Sequence, residues 1–363
     1  MNSQLTIHDY IDQLFADKDL LYTTLRNVGD STSQQTDTFS QLVPKVMNIQ
    51  HLLFNNTVTQ AQLNNLASYN EYWWQKYYVN AYPKEVTVAA NFTGTEFLRE
   101  FCAGLMTTSI PKIIVPDTIV DRYQSYGMEA MYSGCKNVTS IDVSGINPTG
   151  VIKANSMFSG CRSLQHLDLD SMPCLPNIQD ATAMLNSCWS LTGTLKITKF
   201  RDVKSLSSFC GGTRITTLDL SESDLSHLTT MGNIFYGSSA ESIKVIGQIP
   251  GDTNLAGFVI TNSSVRSLDL SQLTFLNDEV STGSISNFTY RTKDMTFIDI
   301  RNFERSDIGN MLYVRSSQWD TYGIPWDCVI VVKNTNMKQL VTQAHPKLTH
   351  VYTVEEWEAR NNG

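Results

Sequence analysis

The sequence predicts an α+β chain, with an N-terminal helical region followed by a solenoid that carries a parallel sheet and terminal caps. Three observations predict it. From about residue 131 a short pattern returns, as Met131-Tyr-Ser-Gly-Cys135 with Val138-Thr-Ser-Ile-Asp-Val143, then Met157-Phe-Ser-Gly-Cys161 with Leu164-Gln-His-Leu-Asp-Leu169. Before it, residues 1–85 lack the repeat and place apolar residues at helical spacing; after about residue 300 the period loosens. Repeats of roughly 20 to 50 residues mark solenoids, whose units bury their apolar face only by stacking.

In chain order, Thr6 precedes an apolar stripe of Ile7, Tyr10, Ile11, Leu14, Phe15, Leu20, Leu21 and Leu25, with Asp9 placed as a capping partner and Gly29 as the stop. A polar linker, 30–37, leads to Phe39 through Leu53, interrupted by Pro44, which fits badly inside a helix. A third helical segment, Thr59 to Tyr78, ends in the aromatic run Tyr72, Trp73, Trp74, Tyr77 and Tyr78. Two adjacent stripes at i,i+4 suggest burial on both sides. Packing on the first solenoid turn, a subunit or neighbour-protein interface, and a sugar platform all stay open for it. These readings give 1–85 as a helical attachment and oligomerisation region, 86–130 as an N-terminal cap and degenerate first repeat, 131–305 as repeats and 306–363 as a C-terminal cap. Within the last block, Cys328 to Lys333 reads as a buried strand, Asn336 to Ala344 as a helix, His350 to Thr353 as an edge strand and Val354 to Arg360 as a terminal helix.

Inside one repeat, Leu167 and Leu169 share a face while His166 and Asp168 point the other way, as a strand demands. Met157 and Phe158 plug the core and the Cys161 thiol packs below them as a small hydrophobe. In-register stacking would align Asp142, Asp168, Lys196, Asp219, Lys244, Asp269 and Asp299 in one exposed column, with neighbours roughly 4.8 Å apart. Like charges directly opposite repel. Either these carboxylates bond nearby hydroxyls and backbone, or the column, with His166, is a binding surface for a cation or ligand.

The formal charge of −8 comes without a cluster of Lys and Arg, so nucleic acid is not an expected partner. No stretch approaches the ~18 apolar residues of a membrane span, and no secretory signal is read at the start. Seven cysteines, mostly locked to the repeat, fit a reducing compartment and core packing better than disulfides or zinc, since none forms a Cys-x-x-Cys pair. Neither a phosphate loop nor a His-Glu-x-x-His motif occurs. The expectation is no catalytic residue, no cofactor and no metal.

The run Met-Phe-x-x-Cys-x-x-Leu-x-x-Leu-Asp-Leu at 157–169, and more loosely at 131–143, 184–197 and 209–220, resembles the BspA-like class of leucine-rich repeats found in bacterial surface proteins and phage structural proteins. Later copies depart from it, with Lys196 and Lys244 in place of Asp. The flanks Leu20 to Ile49 and Cys328 to Glu356 are similar to segments bordering such repeats in phage tail and baseplate proteins. The resemblance implies a leucine-rich-repeat-like solenoid in a non-enzymatic virion component of tail, baseplate or fibre, made in the host cytoplasm. Its implied partners are other virion proteins, engaged through the N-terminal helices, and a host surface protein or glycan, with a homo-oligomer in the particle. A bacterial cell-surface adhesin is the alternative, and a glycan hydrolase on the repeats would require two suitably spaced carboxylates.

Overall fold

The computed structural model of the protein describes residues 57–58, 85–88, 98–104, 110, 112–121, 127–259, 264–320 and 322–361. Ten strands are described: β1 (Thr57–Val58), β2 (Glu85–Val88), β3 (Lys112–Ile114), β4 (Thr192–Lys196), β5 (Arg214–Asp219), β6 (Ser242–Ile249), β7 (Ser267–Phe275), β8 (Phe297–Asp299), β9 (Val329–Val332) and β10 (His350–Thr353). They are accompanied by two α-helices among the described residues, α1 (Thr335–Ala344) and α2 (Val354–Asn361). The α+β expectation is therefore corrected: the fold is mostly β. Thr57–Val58 lies within the region expected to be helical, and its β-branched pair suits a strand better. The expected helices over Thr6–Leu25, Phe39–Leu53 and Thr59–Tyr78, with Tyr72, Trp73, Trp74, Tyr77 and Tyr78, lie outside the described residues.

Every strand pair is parallel, and strands adjacent in sequence are adjacent in space: β1-β2-β3 form one sheet and β4 through β10 a second in strict order. Single bridges, Val115 to Ile146 and Ser140 to His166, mark the intervening coils. This is a β-solenoid. Its core is continuous, with Ile141, Leu218 and Leu268 buried and Leu167 only partly so. Leu268 pairs with Ile298 and Ile298 with Ile330, while Leu218 faces Val245 instead of Ile243. That offset of two residues keeps the same side chains inward, because the strand period is two.

Opposite the sheet, the Met/Phe-Ser-Gly segments stack as a ladder of their own. Ala130, Tyr132 and Gly134 donate their N–H groups to Asn155, Met157 and Ser159 at 3.0, 2.8 and 2.7 Å. Ser156, Phe158 and Gly160 repeat the pattern onto Thr182, Met184 and Asn186. Backbone groups point along the stack because residues four apart take left-handed φ: Ala130 and Gly134, Ser156 and Gly160, Ala183 and Ser187, Ser208 and Gly212, Asn233 and Gly237. The intervening Met131, Met157 and Met184, with Tyr132, Phe158 and Leu185, fill the interior. A polar column guards the entrance to each turn: Asp180, Ser205, Thr230 and Asn254 bridge coil to coil, and each side chain accepts the N–H two residues on.

The C-terminal end matches its expected strands and helices. Asn334 caps α1 by accepting the Met337 N–H. Thr353 and Glu356 exchange bonds in a capping box that starts α2. Trp357 of α2 then folds against Phe297 and Tyr352, with centroids 5.4 and 5.8 Å away, over the outer sheet face.

Left-handed φ is costly for alanine, by roughly 1–2 kcal/mol, whereas glycine's extra freedom in the unfolded chain offsets only part of this. Ala183, at φ 53° and half-buried, is thus a site where glycine should help. Ala183→Gly is expected to raise unfolding free energy by about 0.5–1 kcal/mol in urea titrations; a loss of stability would contradict the strain argument.

Candidate binding groove

On the outer sheet face, the Leu-Asp-Leu-Ser sequence folds into a local hydrogen-bonded turn. The Asp142 carboxylate accepts from the Ser144 amide and hydroxyl at 2.9 and 2.7 Å, and Asp219 takes the same two bonds from Ser221 at 3.0 and 2.7 Å. Asp269 accepts the Ser271 amide at 2.9 Å, and Asp299 binds the Arg301 amide and guanidinium. Cations on neighbouring coils add to this, Lys112 lying 3.7 Å from Asp142 and Lys244 3.5 Å from Asp269. Lys196 turns to Glu222. These carboxylates are therefore taken up by nearby hydroxyls, backbone amides and cations.

The column itself is broken. Lys196 is opposite Asp219, but Asp219 is opposite Ile246, and a separate ladder runs Lys244, Asp269, Asp299. Asp299 is not exposed: its side chain is 3 % accessible, paired to Arg301, which also reaches Glu358 of α2. The terminal helix covers that end of the face. As a continuous binding surface, the row from Asp142 to Asp299 does not exist.

One coil escapes the pattern. At Asp168 the residue two positions on is Asp170 instead of Ser, and the expected strand over 164–169 gives way to a 3-10 turn, Leu169–Ser171. The Ser171 hydroxyl closes it on the Asp168 carbonyl at 2.7 Å, and Pro173 follows, which cannot donate to a ladder. Asp170 points elsewhere, accepting the Thr198 amide at 2.9 Å and its hydroxyl at 2.8 Å. The Asp168 carboxylate and the His166 ring, both exposed, are left without a side-chain partner among the described residues.

They face a groove of about 670 Å³, within the range of small-molecule sites. Its other wall carries Thr192, Thr194 and Arg214, and its floor Leu167, Leu195 and Ile215. It opens where regular pairing begins: β4 slips register between Gly193 and Thr194, with Gly193 at φ 77° and nothing beside it, as at a bulge. Leu167 and Leu195, core residues in other coils, stay partly uncovered here. Next along from the lining Ser190, Trp189 is 50 % exposed, and the Arg162 guanidinium lies 4.2 Å over its ring.

Of the sequence-derived candidates, His166 and Asp168 meet in this groove. Asp142, Lys196, Asp219, Lys244, Asp269 and Asp299 are engaged in pairings along the outer face. Arg214, Thr192, Thr194 and Trp189 were not singled out, although the change from Leu-Asp-Leu-Ser to Leu-Asp-Leu-Asp at 167–170 and a glycine inside a strand were available signals. The seven cysteines are free and buried in the core, as expected, and thiols of the repeat also donate hydrogen bonds. The Cys135, Cys161 and Cys188 thiols donate to the carbonyls of Cys102, Tyr132 and Phe158, one coil back, at 3.0 to 3.1 Å. Later coils fill the corresponding corner with buried Thr213, Ser238 and Thr292, whose hydroxyls donate to Cys210, Thr213 and Thr289 carbonyls. Burial pushes the Cys188 thiol up to about 12, and the Cys102 and Cys210 thiols are also raised by burial, which suppresses thiolate chemistry.

No family model, curated protein or solved structure matches the chain. Among the described residues no cluster of three or more His, Cys, Asp or Glu could hold a metal, and no helix is long and apolar enough to cross a membrane.

The local turns give the outer face a pH signature. Burial works to raise the Asp269 carboxyl, but bonds from the Ser271 hydroxyl and amide, with Lys244 nearby, outweigh it and hold the group below its ordinary range. A carboxyl depressed in the folded state stabilises above its unfolded value, and the contribution is lost as pH falls through the folded one. Ser271→Ala should move the Asp269 titration upward in carbonyl-detected NMR and weaken acid resistance between about pH 4 and pH 2. An unmoved titration would mean that the turn does not set the charge.

Proposed function

We propose that the chain is a non-enzymatic recognition component of a phage virion, in tail, baseplate or fibre, that binds a host-surface ligand through the groove at His166, Asp168 and Arg214. The observation that carries the reading is the contrast on one face. Ser144, Ser221, Ser271 and Arg301 satisfy the carboxylates of other coils, whereas Asp168, His166 and Arg214 line one groove with no side-chain partner among the described residues. Polar groups that converge on a concave apolar surface are the ordinary makings of a ligand site.

The solenoid suits such a role. Its interior and turn ladder hold the groove rigid, so little ordering cost attaches to binding. The virion setting is supported by the resemblance of the 131–220 repeats to those of phage structural proteins; synthesis in the host cytoplasm and assembly with other virion proteins go with it.

The test is labelling of intact bacterial cells of varied envelope type by the fluorescent full-length protein. Wild type should label at least one strain, and the double variant His166→Ala with Arg214→Ala, both exposed and outside the core, should lose labelling by about tenfold or more, equivalent to ~1.4 kcal/mol. Labelling that survives the substitutions, or that occurs with no strain, removes the proposal.

A further inference from the structure

We infer that the groove takes an acidic saccharide, a sugar unit bearing a carboxylate, with Arg214 as the residue that selects the acid group. The inference rests on the recognition role proposed above and names its ligand class. Three features of the groove lead to it.

First, the groove mixes apolar and hydrogen-bonding surface at the scale of a sugar ring. Leu167 and Leu195, both partly uncovered, present apolar surface on which C–H groups can lie, with Ile215 buried beside them. Above it, Asp168 only accepts, His166 offers one donor and one acceptor when neutral, and the Thr192 and Thr194 hydroxyls do either. Ring hydroxyls need that combination, since each both donates and accepts. A purely apolar ligand would leave Asp168 desolvated without a partner, at a cost larger than a single hydrogen bond returns.

Second, Arg214 is a guanidinium with no carboxylate partner among the described residues. Arg301 and Arg305, by contrast, are held by Asp299 and Asp307. A guanidinium fork matches a carboxylate through two parallel bonds, a geometry that a lone hydroxyl cannot use. The acid group of the ligand would complete Arg214 as Asp299 completes Arg301.

Third, the half-exposed Trp189 next to the lining Ser190 supplies an aromatic plane, and Arg162 stacked on it keeps a second positive charge at that side. On a chain of net charge −8, Arg162 and Arg214 stand without acidic partners among the described residues, so this side of the groove offers positive charge apart from Asp168 on the opposite wall.

The experiment is calorimetric titration of the full-length protein with three oligosaccharides bearing uronate or sialate units, each beside its carboxyl-reduced counterpart. At least one acidic form should bind, about tenfold or more tighter than its reduced form. Arg214→Ala should abolish that preference, and Arg214→Lys should retain part of it, while circular dichroism confirms that both variants keep the wild-type fold. Equal binding of acidic and reduced sugars, binding indifferent to Arg214→Ala, or no binding by any of the three overturns the acidic-saccharide inference. Cell labelling separates this failure from that of the broader role. If labelling is lost in the groove variant yet no acidic sugar binds, only the ligand class falls. If labelling is unaffected by the groove variant, both fall.

Discussion

Backbone hydrogen bonding between successive coils, on the turn side as much as on the sheet side, is the constraint on which the rest of the molecule depends. A sheet alone would tie the coils along one wall. Here Ala130, Ser156, Ala183, Ser208 and Asn233 adopt left-handed φ so that alternate amides of the turn segment point along the stack and meet carbonyls of the next coil. Buried backbone groups left unpaired would each cost as much as a lost hydrogen bond. The strain at these non-glycine positions, Ser187 included, is the smaller term, since one coil-to-coil turn returns three backbone bonds, as at Ala130, Tyr132 and Gly134. The same ladder explains the corner thiols, each of which binds a carbonyl one coil back.

A stack of this kind is regular by necessity, and its regularity makes exceptions legible. The sheet face repeats a turn in which serine two residues after aspartate takes up the carboxylate. Such a face is electrostatically quiet: Asp142, Asp219 and Asp269 are all held below the ordinary carboxylate range, first by the Ser144 and Ser221 hydroxyls for the former two, and for Asp269 by the bonds from Ser271 and the charge of Lys244 against the opposing effect of burial. Charges stabilised in this way have little reason to bind a ligand. At this coil Asp170 stands where serine would partner Asp168, and Leu167 is only partly buried, so the free polar groups and part of the apolar floor occur at the same place in the repeat.

Much of this was readable in the residues before any coordinates. Parallel stacking, the buried Met157 and Phe158, the inward Leu218 and Leu268 and the C-terminal strands and helices follow from periodicity and capping residues, which act locally. What periodicity could not convey was register. Lys244 and Asp219 share a position in the repeat but are offset by two residues in space, because pairing between β5 and β6 answers to the packing of both coils and not to either sequence alone. The burial of the thiols in the core was legible in the periodicity, whereas their role as donors shows only in the recurrence of Thr213, Ser238 and Thr292 at that corner. Arg214 and Thr194 were invisible as site residues because they come from coils later than His166 and Asp168, and nothing in the sequence brings them onto one surface without the stack.

The groove's position in the array also follows from energetics. In a solenoid each coil is stabilised by its two neighbours, so a local irregularity weakens one or two interfaces and leaves the others intact. Coils on the C-terminal side pair more extensively: β6 and β7 run together from Ser242 and Ser267 to Ile249 and Phe275 with one register shift after Lys244, and Phe258, Phe288 and Phe303 continue a chain of ring contacts through the interior. Coils around 140 and 166 hold by single sheet bridges, yet the turn ladder runs through them unbroken. The sheet can therefore open between His166 and Arg214 while the opposite wall fixes the spacing of the coils. A recognition site placed at that transition has rigid walls and unsatisfied side chains at once, a combination that neither the regular sheet nor a loose loop would provide.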